Sequence, residues 1–504
     1  MRFFRLIPPF FTNRKFLSEK GCSMSLPNTH YGAKEIASIL DGKKNLFFAG
    51  IGGISMNSLA HISHLRGYRV SGYDRTPSAL TESLAAMGVT VYYEADARHV
   101  SDCDALIYTV AMPADNPEYT EALSRGIPVI SRADYLGYIM TGYKSRIGVS
   151  GTHGKSTTTG MITNVLIAAG VDPTLSGGAA MKETGAVDRI GGHDYFVFEA
   201  CEYMDSFLDF NPSTAVVLNI EMDHVDYFHS IEQMRASYTQ FMSITGKNGF
   251  AVINADDENC RLAAAAYAGQ VVTFGRNNPA CDCTSVNEKT EGGYPAFDIL
   301  WHGVPAGHVV LQIPGEQNIA DALASFAACA VNGTPTDVIA AGLSSYQGIC
   351  RRMERIALSP AGYTLYADYA HHPTEIRAAL GGARAICCGK LRVVFQSHTY
   401  SRTAELFDDF IAAFADSGAD EVVFCPIYPA RETNIYGVSA EQMRDALLAA
   451  GKTARFAPTF EDAADSLAST AQDGDMILVM GAGDVIRVAD LIEARIAAES
   501  AARN

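Results

Sequence analysis

The sequence predicts an α/β protein of three domains: a Rossmann-like N-terminal domain, a central α/β domain built around a phosphate-binding loop with a small antiparallel β addition, and a C-terminal doubly wound, Rossmann-like domain. Three observations carry this. The chain has 504 residues, and one domain ordinarily takes about 100–200. Short apolar runs alternate with helical patterns along most of it, as parallel sheets with helical crossovers require. Glycine turns stand between an apolar run and a helix pattern at residues 50–53 and again at 151–154. The expected domains are residues 24–142, 143–349 and 350–504, behind a leader at 1–23.

Composition narrows the function classes. Hydrophobic residues make up 48% and charged residues 19%, enough for packed cores. A formal charge of −17 argues against nucleic acid or a membrane surface as partner, because that affinity comes from basic patches that displace counterions. Any anionic ligand must be held by local groups. No apolar run approaches the ~20 residues that span a bilayer. The opening MRFFRLIPPFFTNRKFLSEKGCSM has the basic and apolar residues of a signal peptide, yet Pro8 and Pro9 split its apolar run and no clean cleavage site follows. It reads as an unstructured leader ahead of Met24. The eleven cysteines are scattered without a C-x-x-C pair, the usage of reduced thiols in a cytoplasmic protein.

In the first domain, NLFFAGIGGISMNSLAHISHLRGYRVSGYD runs apolar strand, glycine turn, helix pattern and second strand. Gly50-x-Gly52-x-x-Ser55 matches the dinucleotide fingerprint only with serine in third place, and Asp74 lies 22 positions past Gly52, where such folds keep an acid for a ribose hydroxyl. The lone fingerprint is weak evidence for NAD. It fits a helix N-terminus that holds a phosphorylated ligand.

The second domain opens with the strand RIGVS, then Gly151 to Ser156, then the helix pattern TTTGMITNVLIAAG. The phosphate loop G-x-x-x-x-G-K-[ST] would need glycine at position 149, where this chain has Val149. Spacing fails, but context holds: a strand, a glycine turn with lysine and hydroxyl residues opening a helix let backbone N–H groups and the helix dipole hold phosphate. The bland alternative is a glycine-rich helix start with a surface lysine. Further on, DYFVFEACEY ends a strand at Glu199, and STAVVLNIEMDHVDYF delivers Asn219, Asp223 and His224 from the end of another. Ligands of open α/β sheets sit beyond these carboxyl ends, so Ser156, Glu199 and His224 are expected to converge. Oxygen donors and one imidazole around a triphosphate suit Mg2+. Singly, Glu199 could pair with an arginine and His224 could cap a helix. Alternating runs between 275 and 313 predict the antiparallel addition, and IPGEQNIADALASFAACAVNG a turn feeding an apolar helix in which Asn318 could serve as a cap.

From about 350, strand and helix patterns alternate again, with polar residues gathered after strands: Asp368, Tyr369, His371 and His372; Gln396, His398 and Arg402; Tyr428, Arg431 and Glu432; and Gly481 to Asp484. Adjacent side chains of an extended segment face opposite ways, so one histidine of the His371/His372 pair at most is expected in the chemistry.

Taken together, GIGGIS, GTHGKSTTT, FEACEYMDSFL, NIEMDHVDYF, PGEQN, RRMERI, DYAHHPTEI, FQSHTYSRT, PIYPARE and GAGD, in this order, resemble the Mur ligases of cell-wall synthesis across residues 45 to 490. In that family the shortened G-T-x-G-K-[ST] loop is normal, so the resemblance implies a nucleotide site and a central P-loop ATPase-like domain. It implies that Lys155 contacts ATP phosphates, that Ser156, Glu199 and His224 hold Mg2+, and that Asn318 touches adenine. The implied ATP site further includes Gly151, Thr152, Gly154, Thr157, Arg352 and Asp368. Gly50, Gly52, Gly53, Asp74 and Thr109 would hold a UDP-sugar, and His371 and Arg402 would lie near the incoming amino acid. The implied substrates are UDP-N-acetylmuramate and L-alanine, and the implied product a peptidoglycan precursor. Many relatives have histidine where this chain has Gln317 and arginine where it has Thr399, which leaves Arg402 as the clearer holder of the amino acid's carboxylate.

The chemistry also follows from the groups. A carboxylate joins an amine only with a leaving group on carbon, which ATP supplies as an acyl phosphate. Both partners of that first step are anions, so Lys155, Mg2+ and helix-terminal N–H groups must neutralise charge. The amine must then lose a proton, a role open to His371. A ligase that recycles a ready-made tripeptide onto the same sugar nucleotide would share the loop and first domain. A folylpolyglutamate synthetase would lack the GIGGIS domain, and a NAD-dependent oxidoreductase would leave Lys155, Glu199 and His224 unexplained. A catalytically silent nucleotide-binding partner would show damage at one of those positions, and none is visible. A monomer or weak homodimer is expected.

Overall fold

The computed structural model describes residues 26–182, 185–224, 227–430 and 432–503. The leader expected at 1–23, and Arg431 of the third-domain set, lie outside them. Three sheets follow one another along the chain.

The first sheet holds five strands in the order β3-β2-β1-β4-β5: β1 Asn45–Ala49, β2 Arg69–Tyr73, β3 Thr90–Tyr92, β4 Ala105–Tyr108 and β5 Val129–Ser131. All pairings are parallel. β1 lies in the middle, and its Leu46, Phe47, Phe48 and Ala49 are buried, as an apolar run covered on both faces must be. The helix Arg132–Met140 leaves this sheet and docks on the next. A Cβ at Gly137 would stand 2.0 Å from the carbonyl oxygen of Asp209, so only glycine permits the contact. Tyr143 meets Phe196 edge-on at 4.8 Å, and one apolar cluster runs from Phe48 and Ile139 through to Phe198 and Phe241. First and second domains are thereby joined by a continuous core.

The second sheet holds ten strands: β6 Ser145–Ser150, β7 Thr174–Ser176, β8 Asp188–Arg189, β9 Tyr195–Glu199, β10 Thr214–Val217, β11 Phe250–Asn254, β12 Gln270–Arg276, β13 Cys283–Glu291, β14 Tyr294–Trp301 and β15 Val304–Val310. Its middle is parallel, with β6 between β9 and β10. The expected antiparallel addition is β13 to β15, which extends this same sheet: β13 pairs parallel with β12 and antiparallel with β14.

The third sheet runs β16 Glu354–Leu358, β17 Thr364–Asp368, β21 Met476–Met480, β18 Leu391–Phe395, β19 Glu421–Phe424 and β20 Ala454–Phe456 from edge to edge. Only β16 is antiparallel. The sequence pattern gave no strand there, because Arg355 and Glu354 interrupt its apolar character. Alternation along β18 sends Val393 and Phe395 to one core and Val394 to the other. Both cores draw on residues from Met353 onward, separate from those of the first two domains. Among the described residues no helix is long and apolar enough to cross a membrane.

Candidate active site

β6 ends at Ser150, and the chain turns through Gly151 (φ 147°) and Gly154 (φ 87°) into helix α1, Lys155–Ala168. A Cβ at Gly154 would lie 2.5 Å from Asp321 Oδ1, and the left-handed φ excludes ordinary side chains as well. The loop is fastened to the segment after β10. The His153 N–H donates to Asn219 Oδ1 at 2.8 Å, Asn219 Nδ2 donates to the His153 carbonyl at 3.1 Å, and the Thr152 hydroxyl donates to the Glu221 carbonyl at 3.1 Å. The N-terminal N–H groups of α1 are thus held at the carboxyl edge of the sheet, where they can receive phosphate.

Lys155 folds back over the loop, donating to the Gly151 and Thr152 carbonyls, and its Nζ lies 3.3 Å from Glu202 Oε2. Burial disfavours its charge, but Glu202 and its neighbours outweigh this and hold its pKa above the ordinary lysine value. Glu199 closes β9, and its Oε1 accepts the Gly178 N–H at 3.0 Å. His224, with φ 52°, stands 3.9 Å from Glu202 Oε1 and packs against Tyr203 with ring centroids 4.7 Å apart. Ser156, Glu199 and His224 all border one cavity of about 540 Å³ between the second and third domains. Hydroxyl, carboxylate and imidazole donors beside a lysine and a helix N-terminus form a set that fits a hard dication held with phosphate.

The third domain closes that cavity from the other side with His371 and Arg402. His371 Nδ1 lies 3.2 Å from Glu375 Oε2. Arg402 Nη2 donates to Asp223 Oδ1 at 3.1 Å, across the domain boundary. Burial would raise the Asp223 pKa, but His224 and Arg402 hold it well below the carboxylate range. His372 caps helix α2, Pro373–Ile386, accepting the Thr374 N–H, and burial beside His153 lowers its pKa to about 4. Both rings border the large cavity, and His372 also starts a helix.

A second cavity of about 210 Å³ adjoins the first at His153, Ser156 and Arg352. Asn318, Gln317, Ile349, Ala379 and Asp368 help to line it. Asn318 is not a helix cap: it lies inside Gln317–Val331, and its Nδ2 donates to the Pro314 carbonyl at 2.7 Å. Both carboxylate oxygens of Asp368 accept backbone N–H groups, of Met353 and Ala370 at 2.7 Å, so this residue shapes the wall. Asp321, also on the wall, is pushed by burial to a pKa of about 7 despite Thr158, Arg352 and His153.

Comparison with known proteins matches this arrangement segment by segment. Residues 46–144 match the Mur ligase family catalytic domain, 149–329 the Mur ligase middle domain and 351–483 the Mur ligase glutamate ligase domain. The UDP-N-acetylmuramate–L-alanine ligase of Clostridium novyi is 41% identical over 451 residues, covering 90% of this chain and 97% of that protein. The chain belongs to the Mur ligase family. The UDP-N-acetylmuramate–L-alanine ligase of Acetivibrio thermocellus is 40% identical over 91% of this chain and 97% of its own length. Among solved structures, the UDP-N-acetylmuramate-alanine ligase MurC of Thermotoga maritima superimposes with a TM-score of 0.76 at 26% identity, covering 90% of this chain and 99% of that one. The MurF ligase of Thermotoga maritima in complex with ADP shares the fold, with a TM-score of 0.60 at 16% identity over 85% of this chain and 95% of its own.

In this Mur ligase the first-domain candidates cluster apart from the cavity just described. The Gly52 N–H donates to Asp74 Oδ2 at 2.9 Å, and Thr109 Cγ2 would stand 2.8 Å from a Cβ on Gly50. Gly53 precedes the helix Ile54–Leu65 as its N-cap, and Ile54 reaches the edge of the large cavity. Sequence reasoning missed five residues that the structure brings to the cleft: His153, Glu202, Glu221, Asp321 and Glu375. Glu202 and His153 lay inside motifs already singled out, and their polarity next to Glu199 and Lys155 was the available signal. Asp321 sits in an apolar helix as its one early carboxylate, a buried-charge signal of the same kind. Glu221 and Glu375 also lay inside quoted motifs, NIEMDHVDYF and DYAHHPTEI, but Pro373-x-Glu375 reads equally as an ordinary helix start.

Proposed function

We propose that the protein is an ATP-dependent ligase that joins the lactyl carboxylate of UDP-N-acetylmuramate to the amino group of L-alanine in peptidoglycan precursor synthesis. The observation that carries the reading is the meeting of Lys155, Ser156, Glu199 and His224 with His371 and Arg402 around one interdomain cavity, in a chain whose 40% identical relatives bear that ligase's name.

In the first step a lactyl carboxylate oxygen attacks the γ-phosphorus of ATP, the bond to ADP breaks, and an acyl phosphate forms. Lys155 and the N–H groups opening α1 neutralise the two anions and the charge that develops between them. Ser156, Glu199 and His224 would hold Mg2+, which supplies further neutralisation of the phosphate oxygens. Asn318 and Arg352 border the smaller cavity, which is the adenosine side in this reading. In the second step the L-alanine nitrogen attacks the acyl carbon, the carbon–oxygen bond to phosphate breaks, and inorganic phosphate leaves. Arg402 orients the amino acid by its carboxylate, and His371, steadied by Glu375, accepts the amine's proton. Gly50, Gly52, Gly53, Asp74 and Thr109 form the proposed UDP-sugar end.

The test is phosphate release from ATP and Mg2+ with UDP-N-acetylmuramate, offering L-alanine, glycine, L-serine and a stem tripeptide separately, with product masses checked. Release that needs the sugar nucleotide and L-alanine together is expected. Dependence on the tripeptide instead would assign a recycling ligase, and no release with any acceptor would overturn the reading.

A further inference from the structure

We propose that His153, Glu221 and His372 form a separate site for one transition-metal dication of the zinc class, shared between the second and third domains. Their donor atoms all lie within 4.8 Å of one another. A zinc ion bound at about 2.0–2.2 Å from each donor needs donors about 3.4 Å apart, so a small approach of the two domains completes the geometry. Two imidazoles and one carboxylate, with water in fourth place, are a borderline-soft tetrahedral set, unlike the oxygen-rich set around Ser156 and Glu199.

The surroundings are those of a metal-binding histidine. Both ring nitrogens of His153 are buried without a well-aligned hydrogen bond. Nε2 lies 3.4 Å from Glu221 Oε2, while Nδ1 lies 3.5 Å from Glu375 Oε1. Nε2 is therefore placed toward the metal and Nδ1–H toward a carboxylate, the outer partner that fixes ring orientation in metal sites. Glu375 is itself held by Arg352 at 3.5 Å. His372 uses Nδ1 to accept the Thr374 N–H, which leaves Nε2 for a metal, and its ring centroid lies 5.0 Å from that of His153. Glu221 Oε2 also accepts from the Thr374 hydroxyl at 3.2 Å. His153 and Glu221 come from the second domain and His372 from the third, so an ion here ties the domains together.

The experiment is a titration of the metal-stripped full-length protein with Co2+ and then Zn2+ in excess Mg2+, followed by visible absorption and thermal melting. The wild type is expected to bind one Co2+ with the intense visible bands of four-coordinate nitrogen and oxygen ligation, to release it to Zn2+, and to melt higher with Zn2+. His372→Asn keeps a helix-capping side chain and removes one imidazole, and should weaken Zn2+ binding by about 10-fold or more with no Zn2+-dependent rise in melting temperature. Glu221→Gln, measured alongside, should weaken binding similarly. Equal Zn2+ affinity in wild type and both variants, or near-ultraviolet bands of thiolate ligation from the cysteines, would overturn the site.

Discussion

Lys155 Nζ lies 3.3 Å from Glu202 Oε2, and the Glu202 side chain is fully buried. Removing one partner of such a pair strands a charge in a dry site, at about 3–5 kcal/mol. Lys155→Met should therefore lower the melting temperature as well as abolish nearly all turnover. Adding Glu202→Gln should recover the melting temperature and none of the turnover. A double variant with near-normal phosphate release would remove Lys155 from the chemistry.

Arg402 reaches 3.1 Å to Asp223 across the domain boundary, so if Arg402 binds the amino acid as proposed, the substrate carboxylate must share or displace that contact. Lysine keeps the charge and loses the two-pronged geometry. Arg402→Lys is expected to raise KM for L-alanine by about 10-fold to 100-fold, a loss of about 1.5–3 kcal/mol for a charged hydrogen bond, while KM for ATP changes little. Steady-state kinetics with each substrate varied in turn decides this, and an unchanged KM for the amino acid would place its carboxylate elsewhere.

His153 stands between Glu221 and Glu375. Burial alone would lower its pKa, but the two carboxylates raise it to about 9 from the ordinary 6.5. A raised histidine stabilises the fold fully below the unfolded value, and that contribution fades as pH climbs through the folded one. In metal-free buffer the wild type should exceed His153→Gln in stability by on the order of 2 kcal/mol near pH 6, and the difference should vanish above about pH 9. Chemical denaturation across this range measures it, and a constant difference would show that the ring's charge is not involved.

Asp321 shifts stability in the same direction with pH, for a different reason. Burial raises its carboxyl to about 7 from 3.8, so the native state holds a proton that the unfolded state has lost, and stability falls as pH rises between the two values. Asp321→Asn should be close to wild type in stability at pH 4 and more stable at pH 8, by roughly 2–4 kcal/mol. Equal pH profiles for the two proteins would show that Asp321 stays ionised within the fold.

Much of this molecule was legible along the chain because its signals are local. Gly151, Gly154 and Lys155 mark a turn into a helix through backbone freedom and charge, Glu199 closes the apolar run that forms β9, and His224 follows seven residues after the run that forms β10. The β13 to β15 alternation was equally readable as an antiparallel addition. Its continuity with the central sheet was not, because which edge a hairpin joins is a matter of long-range pairing.

By itself the sequence determined the parallel strand-helix alternation, the glycine and lysine turn that opens a helix, and the family, since periodicity, turn chemistry and motif order are properties of neighbouring residues. Only the tertiary structure decided that Lys155 is held by Glu202 rather than Glu199, that Asp223 meets Arg402, and that His153 is gripped from both domains. These contacts join residues 47 to 222 positions apart. The Asp223–Arg402 and His153–Glu375 contacts exist because the third domain, with its own core, faces the joined first and second, so that cleft is made by domain docking, which no local pattern encodes.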